Sequence, residues 1–172
     1  MTSLFPHTPY AEDQPLAHQI LYLHVVRAGA MAGSFIPLIT APTSLLVSRY
    51  RHNTPFTTST LLPRLLAHSA RGLVLGTVFG FVSVWGRMRG REEIEWKDRA
   101  WRLLENKGEL RTDWWTVGGA ATGAVAGVLA LRRGRIPVEL TASTGMLGSA
   151  GVGMNAGVGY MFWSYANGRV PA

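Results

Sequence analysis

The sequence predicts an all-α integral membrane bundle of four short glycine-rich transmembrane helices, with an amphipathic helix between spans two and three. Three observations predict it. Lys, Arg, Asp and Glu make up only 16% of the 172 residues, against roughly 25% in an ordinary soluble domain. The charges are clustered, so that apolar windows about as long as a hydrocarbon core is thick stand free of them. Within those windows glycine recurs at every fourth position, the spacing that lines up small residues on one helix face.

Residues 1–19 form a polar N-terminal segment with Glu12, Asp13 and no Lys or Arg. It matches neither a secretory signal nor an Arg-rich transit peptide, so import into an organelle would use internal signals. Span one is placed over 20–48. Its uncharged core, Ala28 to Ser48, has the 21 residues that a crossing needs. Pro37 and Pro42 predict a kink, tolerated where neighbouring helices satisfy the freed carbonyls. A loop follows over 49–63, with Pro55, a Thr/Ser cluster and no acidic residue. Span two covers 64–86. Because Gly72 to Gly86 is only 15 residues, the helix is expected to start near Leu65. Arg71 then lies within about two turns of its end and snorkels to the headgroups.

Residues 87–113 hold eight basic and seven acidic side chains and plot as a connecting amphipathic helix. At 100° per residue Ile94, Trp96, Ala100, Trp101, Leu103 and Leu104 share one half of the wheel. Glu95 with Arg99, and Asp98 with Arg102, have the acid-before-base spacing that supports an exposed helix. Asn106-Lys107-Gly108 is the expected stop. Span three, 114–131, enters through Trp114-Trp115 and leaves at Arg132-Arg133, an aromatic anchor at one end and a basic one at the other. A basic turn over 132–139 leads into span four, 140–166, whose exit is marked by Tyr160, Trp163 and Tyr165. Residues 167–172 are a short tail. Four spans would put both termini and the charged segment on one side. The basic residues are spread too evenly between the two sides to orient the bundle.

The predicted helix-packing residues are the glycine ladders: Gly29 and Gly33 in span one, Gly72, Gly76 and Gly80 in span two, and Gly119, Gly123 and Gly127 in span three. In span four, Gly145, Ser149, Gly153 and Gly157 continue the pattern. Each ladder is a smooth groove that lets another backbone approach closely, whether from the same bundle or from another subunit. Ile94, Trp96, Trp101 and Leu104 are the candidates for docking onto a partner or the membrane surface, with packing onto this chain's own segments as the alternative. Arg49, Arg51, Arg132, Arg133 and Arg135, at the helix ends, are candidate contacts for anionic lipid head groups such as cardiolipin. They also serve as ordinary topology anchors.

Several functions are disfavoured. The net charge of +7 sits beside apolar segments rather than along one polar face, which argues against nucleic acid as a partner. With no cysteine the chain has no thiolate metal site and no cysteine nucleophile. The five histidines, His7, His18, His24, His52 and His68, fall into no catalytic or metal-ligand spacing, and His24 and His68 read as anchors at span ends. The run 118–123 looks like a phosphate loop but lacks a preceding strand and a following Lys-Ser/Thr. The span centres carry no ionisable group, which argues against ion conduction by this chain alone. Asn155, the most polar mid-span residue, is expected to hydrogen-bond between helices.

The run Glu95-Trp96-Lys97-Asp98-Arg99-Ala100-Trp101-Arg102-Leu103-Leu104, followed by Asp113-Trp114-Trp115 and a glycine-rich span, resembles the NUXM-type fungal accessory subunits of mitochondrial respiratory complex I. The resemblance extends over most of the chain. It implies a multi-pass protein of the mitochondrial inner membrane, without cofactor or catalytic residues of its own, attached to membrane-arm subunits of the complex and surrounded by phospholipid. A second likeness, to inner-membrane protein translocases with four glycine-rich spans, is architectural only. The translocase signature is missing, and the charged connection is larger than a simple translocase loop.

Overall fold

The computed structural model describes residues 2–135 and 140–169; the predicted turn 132–139 and tail 167–172 fall partly outside them. Single 3-10 turns at Thr2–Leu4 and Ala11–Asp13 precede α1 (Ala17–Phe35), α2 (Pro37–His52), α3 (Thr58–Met88), α4 (Glu93–Glu105), α5 (Lys107–Arg132) and α6 (Ala142–Ala166). The described residues contain no strand. Three helical stretches are long and apolar enough to cross a membrane: Ala17–His52, Thr58–Met88 and Lys107–Arg132. The expectation of four is met in this respect for three. α6 has the length, 25 residues, but glycine, serine and Asn155 dilute its hydropathy.

Proline and capping chemistry set the boundaries. α1 and α2 form one helical stretch interrupted at Ile36, because Pro37 opens α2 without an N–H to bond back into α1. The predicted 49–63 loop is a correction. α2 continues to His52, and α3 starts at Thr58, so only 53–57 is non-helical. The Thr/Ser cluster that reads as loop is the start signal of α3. Thr57 and Thr60 form a reciprocal capping box, and the Thr60 hydroxyl also donates to the Pro55 carbonyl at 2.7 Å. Arg71 is accordingly 13 residues, about 20 Å, from the first residue of α3 rather than two turns. The stop at Asn106 is where the structure places it. Its Oδ1 accepts from Gly108 and Glu109 N–H at 3.0 and 3.2 Å and starts α5.

α4 has the Asp98–Arg102 pair at 3.0 Å, whereas Glu95 pairs with Arg91 at 3.2 Å and not with Arg99. Glu95 is the third residue of a capping box with Glu92, and accepting the Glu92 N–H draws its carboxylate toward the helix start.

Contacting pairs fix the topology. Gly29 faces Gly76 and Gly33 faces Gly72, so α1 and α3 are antiparallel; Gly119 faces Gly153 and Gly123 faces Ser149, so α5 and α6 are as well. Gly148 meets Leu66 and Gly151 meets Ser69, which makes α6 parallel to α3. The two hairpin-like pairs therefore join through α6, with α4 and the N-terminal segment folded over one end.

Candidate functional site

Glycine decides how closely the helices approach. A Cβ placed on Gly33 would collide with the Gly72 carbonyl oxygen, and one on Gly72 with the Gly33 carbonyl; Gly29 and Gly76 stand in the same reciprocal relation. Gly80 faces the backbone of Val25 and Val26. Across the second pair Gly119 and Gly153 block each other, Gly123 abuts the Ser149 carbonyl, and Gly157 abuts the Trp115 carbonyl. Gly127 packs on the Ser149 side chain, and Gly145 on Leu131. Such contacts put Cα hydrogens against facing carbonyls, an interaction open to small residues only. All twelve ladder residues thus make contacts inside this chain. α6 has a second small-residue face that the every-fourth pattern hides: Gly148 lies on the Leu66 backbone and Gly151 on Ser69. Their spacing of three is the signal that points to it.

Asn155 completes that face as expected. Its Nδ2 donates to the Ser34 carbonyl at 2.7 Å, and its Oδ1 accepts from the Ser34 hydroxyl at 3.0 Å, all buried. This reciprocal pair ties α6 to α1.

A charged cluster lies between α1 and α5, which run parallel. Arg27 Nε is 2.7 Å from Asp113 Oδ1, and the two side chains are 4% and 0% exposed. Glu109 Oε2 stands 3.6 Å from Arg27 Nη2 and 3.6 Å from His24 Nε2, and His24 Nδ1 is 3.6 Å from Asp113 Oδ1. Thr116, also buried, donates to the Thr112 carbonyl at 2.6 Å and touches Met31 Sδ at 3.5 Å. Arg27 and Asp113 bound apolar windows in the sequence and there read as span ends; the fold brings the two ends to one level and pairs them. Two opposite charges opening two windows that start from the same side are the clue in the sequence. His24, expected as an interfacial anchor, belongs to this cluster. The arrangement cross-links two helices through buried charge, whose removal on one side leaves the other uncompensated. Among the described residues no three His, Asp or Glu side chains are placed to hold a metal ion.

α4 packs onto its own chain. Trp96 is 7% exposed, stacks on His18 at 3.8 Å between ring centres, and joins Ile20, Leu21, Val84, Met88 and Leu104 in one buried cluster. Trp101 Nε1 donates to the Thr8 carbonyl at 2.8 Å, and Lys97 Nζ to that of Glu12 at 2.7 Å. Gln14, fully buried, donates to the carbonyls of Pro6 and Pro15. Trp96, Trp101 and Leu104 are therefore engaged within the chain rather than presented to a partner. This corrects the docking expectation, and Ile94, 43% exposed, is the one of the four that faces outward.

Arg49, Arg51, Arg132, Arg133 and Arg135 are all exposed, at the bundle end opposite α4. The aromatic residues concentrate at the α4 end, where Trp115, Tyr160 and Trp163 form a contiguous row with ring centres 5.0 and 5.7 Å apart.

The fold and these contacts define an all-helical bundle with three helices able to cross a membrane, compatible with a membrane protein. The chain belongs to the protein family of unknown function DUF1757, whose family model matches residues 12–161. No curated protein is a significant match to it.

Proposed function

We propose that this chain is a non-catalytic accessory subunit of the membrane arm of mitochondrial NADH:ubiquinone oxidoreductase, embedded in the inner membrane as a bundle of four helices. One structural observation carries the scaffold part of this reading. The small-residue faces are turned inward onto one another, while α3 presents Leu75, Val78, Phe79, Phe81, Val82 and Trp85 outward. A bundle locked from within and apolar without is suited to packing as a rigid unit among lipid and other helices. The assignment to complex I rests on the resemblance of 95–104 and 113–115. In that setting α6, whose small residues pack on α3 and α5, crosses the bilayer beside its neighbours, and no redox chemistry is required of the chain.

The test is a native gel of mitochondrial membranes solubilised in mild detergent, with the tagged chain followed by immunodetection. Co-migration with a roughly megadalton NADH dehydrogenase activity is the expected result. A separate small complex containing protein-translocation partners would defeat the proposal and favour a transport role.

A further inference from the structure

Arg71 lies on the exposed side of α3 and lines two apolar grooves at once. One groove, of about 570 Å³, follows the α1–α3 seam past Pro37, Gly72 and Gly76 to Phe79. The other, of about 550 Å³, follows the α3–α6 seam past Ala67, Val74, Thr144 and Leu147. Arg71 and Leu75 form the rib between them. Near Arg71 each groove has polar groups. His68, its Nδ1 engaged by the Thr40 hydroxyl at 2.9 Å, borders the first, and Thr141 and Thr144 border the second.

We propose that Arg71 and its two grooves bind one anionic glycerophospholipid, with the phosphate on the guanidinium and one acyl chain in each groove. The inference rests on the membrane reading above. A single cation at the fork of two apolar channels matches a head with one phosphate and two chains. Charge complementarity selects the anionic class. The same end carries Arg49, Arg51, Arg132, Arg133 and Arg135, and the described residues there include no carboxylate. Depth distinguishes the site from ordinary headgroup contact. From Arg71 to Arg87 is 16 residues, about 24 Å along a helix, against roughly 30 Å for a hydrocarbon core. A phosphate on Arg71 is therefore drawn a few Å inward, which a seated lipid achieves and a freely exchanging one does not. Arg64, the next cation on the helix, donates to the Ser44 carbonyl at 2.9 Å and reinforces the positive potential.

The test uses the full chain, purified in mild detergent, stripped of lipid and reconstituted in phosphatidylcholine nanodiscs with or without cardiolipin or phosphatidylglycerol. Native mass spectrometry then counts the lipids retained. The chain should retain an anionic lipid in preference to phosphatidylcholine. Arg71→Gln should weaken retention roughly tenfold, the value of one charge-assisted hydrogen bond, whereas Arg71→Lys should keep most of it. Ala67→Phe, which fills one groove with Arg71 intact, should also weaken it, and Arg49→Gln or Arg132→Gln should not. Equal retention by Arg71→Gln and the parent chain, or a dependence on the helix-end arginines alone, overturns the proposal. So does loss of a protein neighbour from Arg71→Gln with lipid unchanged. Alkaline extraction of membranes separates the two readings. A chain that washes out refutes membrane embedding, while one that stays but shows no Arg71 dependence refutes only the lipid site.

Discussion

The two ends of this molecule are built by different chemistry. Along the seams, helices meet through glycine, Ser34, Ser69 and Ser149, with carbonyl oxygens against bare Cα positions and scarcely any large side chain between them. At the α4 end, Trp96, Ile20, Met88 and Leu104 form a compact apolar cluster, and the N-terminal segment, braced internally by Gln14, closes over it by accepting hydrogen bonds from Trp101 and Lys97. The second arrangement is that of a water-soluble domain, where burying large apolar surface is the driving force. The first is what remains where lipid removes that force and close packing must replace it. The contrast supports a boundary between two solvents at the α4 end, beyond the Arg27–Asp113 ion pair, since the exposed apolar face of α3 continues past that level to Trp85.

Each region should therefore break in its own way. The largest effect is expected in a seam. Gly123→Leu drives a side chain into the Ser149 backbone and should cost about 4 kcal/mol or more, seen as loss of the folded monomer in detergent chromatography. Next comes the charged cluster. Asp113→Leu leaves Arg27 buried without its closest carboxylate and should destabilise by about 3–5 kcal/mol, while Arg27→Met with Asp113→Leu should recover much of that loss. A thermal melt of the three variants in one detergent measures it. Trp96→Ala should cost about 3 kcal/mol, but locally. Protease sensitivity should rise in residues 1–16 and α4 while the seams stay protected.

How much of this was legible in the sequence differs between the same two regions. The ladders are readable because a small residue every fourth position has one geometric meaning on a helix, and Asn155 is readable because a lone amide in an apolar window needs a partner. What faces each ladder is not readable, since two antiparallel glycine faces inside one chain and two between chains have the same periodicity. The α4 half-wheel is equally plain, yet its cover is the N-terminal segment. That segment works through the carbonyls of Thr8 and Glu12, which every residue possesses and no sequence pattern marks. The 49–63 loop misled for a related reason. Thr57 and Thr60 are as apt to cap a helix as to form a turn, and only the fold chooses. Arg27 and Asp113 are visible individually, but their pairing depends on the register between α1 and α5.

The smallest effect sharpens the contrast. Leu129→Ala, at a side chain 45% exposed on α5, should change stability by less than about 0.5 kcal/mol. A change as large as that of Gly123→Leu would mean that α5 packs on its outer face instead of its glycine face.

The central claim, that the ladders join helices of one chain, is most directly tested by disulfide trapping. The chain has no cysteine of its own, and a Cβ at position 127 would stand beside the Ser149 side chain, so Gly127→Cys with Ser149→Cys gives a clean background. Oxidation in native membranes should yield a bridge within one chain, found by mass spectrometry as a linked peptide pair from a band of monomer mass. Bridged dimers, or no bridge while the chain stays folded, would show that the glycine faces meet another subunit and would contradict the account.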